Sequence, residues 1–156
     1  MVLPREIELA VRSGDFRTVR QFVETSPERI NDDDEYGYFN LILTAISSCQ
    51  KTLLDSYADS AQMVRYLISR GADVECRNKR IAPLQLACIA PNPEAVAVLL
   101  EAGASVHRID EAGSAITSTL ITGKSFEDRD VVQLTDSIFE CLKLLLRAGL
   151  ALDVLQ

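Results

Sequence analysis

The sequence predicts an all-α fold in which short helices come in pairs and the pairs repeat. Two similar turns, Gly71-Ala72-Asp73-Val74 and Gly103-Ala104-Ser105-Val106, lie 32 residues apart (103 − 71). The second turn follows apolar residues at helical spacing, Val96, Leu99 and Leu100. A fixed period near this value is typical of proteins that stack small helical units.

The stretch Ala82-Pro83-Leu84-Gln85-Leu86-Ala87 resembles the T-P-L-H-x-A signature of the ankyrin repeat, with Ala in place of Thr and Gln in place of His. The ankyrin period of about 33 residues is also close to the spacing of the two turns. This resemblance implies an ankyrin-repeat α-solenoid with short β-hairpin-like turns between the repeats. A tetratricopeptide or HEAT array is the alternative fold, but those arrays lack a Gly-Ala-Asp-Val turn that leads into a charged hairpin.

The resemblance divides the chain into four repeats of one domain, residues 1–156. The approximate boundaries are 4–31, 32–74, 75–106 and 107–156. Four units suit a solenoid, because no unit buries its apolar side alone and at least three are needed. Repeats two and four are longer than repeat three, and we place their surplus residues between the two helices, at about 47–62 and 122–134.

Repeat one is predicted to contain two amphipathic helices with a polar outer coat, as an end repeat requires. Asp15 follows the turn at Gly14 and is expected to cap the second helix. The apolar side of the first helix is expected to hold Ile7, Leu9, Ala10 and Val11, and that of the second Phe16, Val19, Phe22 and Val23.

Later repeats carry comparable helix-start and helix-stop residues. In repeat two, Asn40 stands where the family has Pro, and Gly71 is expected to end the second helix in a left-handed conformation. In repeat three, Asn92 and Pro93 fit the N-cap and the first helical position. The remaining N-caps are expected at Asp59 or Ser60 in repeat two and at Thr135 or Asp136 in repeat four.

Composition and charge restrict the class of protein. The 156 residues carry a net charge of −7, which argues against nucleic acid, whose phosphates need a basic face. No apolar run approaches the ~20 residues of a membrane span, and residues 1–6 do not resemble a signal peptide. The four cysteines show no C-x-x-C spacing, so we expect reduced thiols and a cytoplasmic or nuclear location.

No catalytic constellation is visible, so we expect a non-enzymatic protein without a cofactor or metal. The single histidine, His107, leaves little on which to build a His-based triad or metal site. Asp32-Asp33-Asp34-Glu35 is acidic enough for a cation but lacks the spacing of a calcium loop, and a solvated acidic turn is the simpler interpretation.

The resemblance implies that hairpin tips and first-helix faces line a groove for a partner protein. The three tips are residues 31–38, 76–82 and 108–114, and exposed aromatic or apolar residues on them are the expected anchors. The partner-binding positions are expected to be Glu35, Tyr36, Tyr38, Arg77, Asn78, Lys79, Ile81, Glu111 and Ser114. On the first helices, the corresponding positions are Arg12, Ser13, Ile46, Ser47, Ile89, Ala90, Thr122 and Gly123.

Two alternatives stay open at this point. The first is an adaptor segment of a larger protein, such as a ubiquitin-ligase receptor or a pathogen effector, with further repeats or another domain after Gln156; the apolar C-terminal residues favour it. The second is a clamp formed by the two insertions at the edge away from the tips, with two solvated loops as the simpler reading. Its residues are expected to be Leu53, Leu54, Tyr57, Phe126 and Val131.

Overall fold

A computed structural model of the chain describes residues 2–48, 55–76, 81–107 and 131–150. These ranges contain seven α-helices and one short 3₁₀ helix. The α-helices are α1 (Arg5–Ser13), α2 (Phe16–Thr25), α3 (Leu41–Ser47), α4 (Asp55–Ser69), α5 (Pro83–Ile89), α6 (Pro93–Glu101) and α7 (Val131–Arg147), and the 3₁₀ helix is Pro27–Arg29. The predicted all-α repeat fold is therefore confirmed.

The helices pack as pairs, and the pairs stack in chain order. Within the pairs, α1 packs on α2, α3 on α4 and α5 on α6. Between the pairs, α1, α3 and α5 form one layer, while α4, α6 and α7 form the other. Each layer buries the apolar side of its helices against the other layer, as two-layer architectures require.

One continuous apolar interior runs through the stack. Leu41, Leu67, Leu84 and Leu99 come from four different helices, belong to the same buried cluster and are at most 1 % exposed. Because neighbouring pairs share this interior, no pair is independent of the next.

The turns after α4 and α6 are built in the same way. The backbone N–H of Ala72 donates to Leu67 O, and that of Ala104 donates to Leu99 O, both at 3.0 Å. Gly71 and Gly103 precede these residues with φ of 99° and 88°, a left-handed conformation that glycine adopts without steric cost. The predicted glycine stop of α4 is thus confirmed.

Two predicted N-caps, Asp15 and Asn92, are confirmed by hydrogen bonds from the first helical turn, and Asn40 caps α3 in the same way. Asp15 Oδ1 accepts from Thr18 N at 3.2 Å, Asn40 Oδ1 from Leu43 N at 3.2 Å, and Asn92 Oδ1 from Ala95 N at 3.0 Å. Gln85, which replaces the family's His, accepts from the N–H of Ala82 at 3.1 Å and so satisfies a donor at the start of α5.

The other two N-cap predictions are wrong. Helix α4 begins at Asp55, and Asp59 and Ser60 lie inside it; Ser60 Oγ instead donates to Ala45 O of α3 at 2.9 Å. Helix α7 begins at Val131, so Thr135 and Asp136 are also internal.

The predicted apolar side of α1 is wrong at one residue. Leu9 is 56 % exposed, whereas Ile7, Ala10 and Val11 are buried. The buried three follow the i, i+3, i+4 spacing of one helical face, and Leu9 lies off that face.

The two predicted insertions are described only in part, since residues 49–54 and 122–130 lie outside the described residues.

Candidate functional site

The first tip, residues 31–38, is a short β-hairpin-like turn supported on one side by the N-terminal segment. Asp33 forms an antiparallel bridge with Asn40 and a parallel bridge with Val2. The N–H of Leu3 donates to Asp33 O at 2.6 Å, and the N–H of Asp34 donates to Phe39 O at 2.7 Å. The backbone of this tip is therefore held from both sides.

Two of the four acidic residues in the first tip stabilise its conformation. Asp34 Oδ1 accepts from Tyr38 N at 2.8 Å, and Asp34 O accepts from Gly37 N at 3.1 Å. Asp32 Oδ2 accepts from Arg29 Nε at 2.9 Å, while Arg29 Nη2 donates to Val2 O at 2.7 Å. These two carboxylate residues are half-buried, and they organise the turn. Within the described part of the chain, no group of three potential ligands is arranged to hold a metal.

The first tip presents two tyrosines to solvent. Tyr36 is 72 % exposed and Tyr38 is 55 % exposed, and Glu35 beside them is exposed as well. The Tyr36 hydroxyl hydrogen-bonds to the Glu35 carboxylate, which raises the pKa of Tyr36 and keeps the phenol neutral. Exposed aromatic residues on a fixed backbone are the kind of residue that dominates interface energies.

The first and second tips are joined at their bases. Asn40 Nδ2 donates to Cys76 Sγ at 3.2 Å, and the Cys76 thiol donates to Asp73 O at 3.1 Å. Cys76 has a φ of 40°, which is uncommon for a residue with a side chain. Sequence reasoning missed this contact; the only signal was the Asn in the family's Pro position.

Further polar contacts fix one turn against the next. Asn31 donates through Nδ2 to Gly71 O at 3.2 Å and accepts through Oδ1 from Asp73 N at 2.8 Å. Glu75 Oε1 accepts from Ser105 N at 2.7 Å. The spacing between successive tips is therefore set by side chains that bind the neighbouring backbone.

Of the remaining predicted site residues on the tips, the structure describes Ile81 alone. Ile81 is half-buried and packs against the core. The other positions of the second and third tips lie outside the described residues: Arg77, Asn78, Lys79, Glu111 and Ser114.

The first helices contribute less surface than the sequence predicts. Ile46 is 0 % exposed and Ala90 is 1 % exposed, so the prediction that they face a partner is wrong. Both belong to the interior because short first helices are packed on most sides. Ser47 and Ile89 are half-buried, Arg12 and Ser13 border the cleft described next, and Thr122 and Gly123 lie outside the described residues.

A cleft of about 580 Å³ lies between repeats one and two, and it is lined by residues of α1 to α4 and of the turns beside them. Its described lining is Val11, Arg12, Ser13, Gly14, Phe16, Arg20, Ala45, Ser48, Asp59, Ser60, Gln62 and Met63. The three serine hydroxyls already donate to backbone carbonyls of α1 or α3. This cleft borders the first insertion, but the side chains expected to form a clamp lie outside the described ones.

The described cysteines, Cys76, Cys88 and Cys141, are buried free thiols. Cys88 and Cys141 are 2 % and 0 % exposed. Burial raises the pKa of the Cys88 thiol, and it raises that of Cys141 to about 12. Neither thiol is therefore a ready nucleophile, because the thiolate is the reactive form.

None of the helices in the described ranges has the length and hydrophobicity that a bilayer crossing requires.

Comparison with protein-family models finds the ankyrin repeat, which matches residues 48–79. The match covers 32 of 156 residues (79 − 48 + 1) and includes all of α4 and the left-handed turn at Gly71. No curated protein matches the chain. The family match over residues 48–79, together with stacked helix pairs and the left-handed turns after α4 and α6, supports the resemblance to the ankyrin repeat and an all-α repeat fold.

Proposed function

We propose that this chain is a non-enzymatic module that binds a partner protein through a groove of hairpin tips and first helices. Ankyrin repeats generally serve as protein–protein interaction modules, and the family is typically non-enzymatic. The proposed contact residues are Glu35, Tyr36, Tyr38, Arg77, Asn78, Lys79, Ile81, Glu111 and Ser114. We also propose a cytoplasmic or nuclear location.

The observation that carries the proposal is the exposure of Tyr36 and Tyr38 on a tip whose backbone is held in place. A tyrosine has two side-chain torsions, so it provides a large contact area at a low cost in conformational entropy. Fixing the backbone before binding lowers the cost of association further. An exposed aromatic pair on a mobile loop would lack this second advantage.

Affinity capture with the intact chain and mass spectrometry of the bound proteins tests the proposal. Replacement of both tyrosines, Tyr36→Ser with Tyr38→Ser, is expected to remove the specific partner. Leu9→Ser is the matched control, because Leu9 is an exposed apolar residue on α1, away from the tips. Equal retention of every protein by the tyrosine variant and the wild type would reject the first tip as the binding surface.

The second tip can be tested in the same experiment. Charge reversal at Arg77 and Lys79 is expected to weaken capture of the same partner, because charge complementarity orients partners and speeds their encounter. Unchanged capture would restrict the proposed surface to the first tip.

The alternative function, an adaptor segment of a ubiquitin-ligase receptor or pathogen effector, has one supporting observation. Phe139 and Leu146 on α7 are 57 % and 41 % exposed, and seven residues apart they lie on one side of the helix. Replacement of both by Ser is expected to remove a second set of captured proteins that does not depend on Tyr36 and Tyr38. If no such set exists, the adaptor proposal loses its support.

A further inference from the structure

Arginine side chains in this chain repeatedly lie between an aromatic ring and a carboxylate. The Arg70 guanidinium lies 5.5 Å from the ring centroid of Tyr66 and 3.2 Å from the Glu24 carboxylate. The Arg29 guanidinium lies 5.4 Å from the ring of Phe22 and 2.9 Å from the Asp32 carboxylate. Both arrangements combine the negative face of a ring with a charged hydrogen-bond acceptor, which suits a planar guanidinium.

The first tip holds the same two partners side by side. Glu35 and Tyr36 are adjacent in the chain, and both side chains are exposed to solvent. In the described part of the chain, no arginine lies over the Tyr36 ring, and Glu35 forms no ion pair. The tip therefore offers a ring face and a carboxylate that no arginine or lysine of the described residues occupies.

The other charged residues around the first tip either form contacts within the chain or act on the Tyr36 hydroxyl without pairing with Glu35. Asp32 is paired with Arg29, and Asp34 holds the turn, so the binding chemistry rests on Glu35. Arg5 acts electrostatically on the Tyr36 hydroxyl but forms no ion pair with Glu35. The chain as a whole has a net charge of −7, which attracts basic segments toward its surface.

We propose that Glu35 and Tyr36 bind an arginine side chain of a basic segment in the partner protein. The guanidinium stacks on the Tyr36 ring and donates to the Glu35 carboxylate, as Arg70 does with Tyr66 and Glu24 within the chain. Arginine is favoured over lysine because its flat guanidinium can stack and donate at once. This inference rests on the proposed function and names the chemistry of the partner at that surface.

Titration of the ¹⁵N-labelled chain with short Gly-Ser peptides, followed by NMR, tests the inference. The probe contains two central arginines, and matched peptides carry lysine, citrulline or glutamate in their place. The arginine peptide is expected to shift the amide resonances of residues 35–38, lysine to shift them less, and citrulline and glutamate to leave them unchanged. Shifts that spread evenly over all acidic residues, or equal binding of citrulline, would overturn the inference.

Variants identify the residues that carry the binding. Glu35→Gln and Tyr36→Leu are each expected to weaken the arginine peptide about threefold, the scale of one exposed ion pair or cation–π contact. Glu94→Gln is the matched control, since Glu94 is an exposed carboxylate on α6 that forms no ion pair in the described residues. Arg5→Gln is expected to tighten binding slightly by removing a like charge. Equal effects of Glu35→Gln and Glu94→Gln would count against the inference.

The two proposals can fail separately. If partner capture depends on Tyr36 and Tyr38 while Glu35→Gln leaves binding of the arginine peptide unchanged, the tip binds a partner of other chemistry. In that case only the inference fails. If the peptide binds at Glu35 and Tyr36 while capture of the natural partner is unchanged by the tyrosine variant, the proposed groove fails although the arginine site exists.

Discussion

Asn40 shows at the scale of one residue how a helix cap can also fix the distance between two repeats. Its Oδ1 accepts from Leu43 N, and its Nδ2 donates to Cys76 Sγ, so both ends of the amide are used. The side chain is only 3 % exposed, and water cannot replace these bonds if they are lost.

Replacement of Asn40 by Ala is therefore expected to lower the free energy of unfolding by about 1–2 kcal/mol, from the lost cap and the lost contact to Cys76. Urea unfolding followed by circular dichroism measures this. Asn31→Ala is the control, because it removes two hydrogen bonds that are exposed, and it should cost under about 1 kcal/mol. Equal losses for the two variants would show that burial of Asn40 has no effect.

The buried thiols predict a dependence of stability on alkaline pH. In the folded chain the pKa of Cys141 is about 12, raised by burial from an ordinary value of 9.0. The unfolded chain therefore loses the thiol proton first, so the contribution of the buried thiol is complete below pH 9.0 and is lost as the pH rises toward 12.

Urea unfolding across that pH interval should show the free energy of unfolding falling by up to about 1.4 kcal/mol per pH unit for this thiol. The variant Cys141→Ala should show a shallower fall, because its only difference at high pH is the missing thiol. Parallel pH curves for the variant and the wild type would exclude Cys141 as the cause.

At the scale of the helix, substitutions at Gly71 test whether the turn after α4 needs its left-handed backbone conformation. A Cβ at Gly71 would meet no atom within 4 Å, so only the backbone conformation, with φ of 99°, opposes a side chain there. Gly71→Ala is expected to destabilise the chain by about 1 kcal/mol, and Gly71→Asn by less, because Asn tolerates left-handed φ better.

Thermal and urea unfolding of the two variants measure the difference. The reverse order of stability, with Ala above Asn, would mean that helix propensity rather than φ governs this position.

The helices also show how far sequence reasoning extends. Asn92 was a predictable cap because it stands immediately before Pro93 and an apolar helical pattern, whereas Asn40 stands out in the sequence only as the residue in the family's Pro position. The start of α4 was not predictable, because Asp59 and Ser60 are both acceptable caps by residue type, although the helix already begins at Asp55. Ser60 bonds to Ala45 of α3, a contact that local sequence does not encode.

The candidate site was predictable in part for a similar reason. Exposure of Tyr36 and Tyr38 follows from their position in a short charged turn, which sequence shows directly. Burial of Ile46 and Ala90 depends on how closely the next helix pair packs, and a single helix pattern does not contain that distance. Local features of the tip were therefore accessible, whereas the extent of the first-helix surface was not.

At the scale of the whole molecule, stability depends on an interior that the repeats share. The exposed ion pairs Arg70–Glu24 and Arg65–Glu101 also connect different repeats. Each is worth at most about 1 kcal/mol, because both partners are roughly half exposed to solvent. A buried leucine from the shared interior contributes several times as much, so packing and not charge holds the stack together.

Replacement of Leu99 by Ala tests this shared interior. Leu99 is 0 % exposed in α6, which packs against α4, α5 and α7, and the variant is expected to lose about 2–5 kcal/mol of unfolding free energy. Leu9→Ala removes the same atoms from an exposed position and should change stability by under about 0.5 kcal/mol. Because the interior is continuous, the loss at Leu99 should lower the midpoint of one common transition, seen equally by circular dichroism and by the fluorescence of the four tyrosines, all of which lie in repeat two. A fluorescence transition that keeps its wild-type midpoint while the helical signal shifts would show that the repeats unfold independently, and the description of one shared interior would then be wrong.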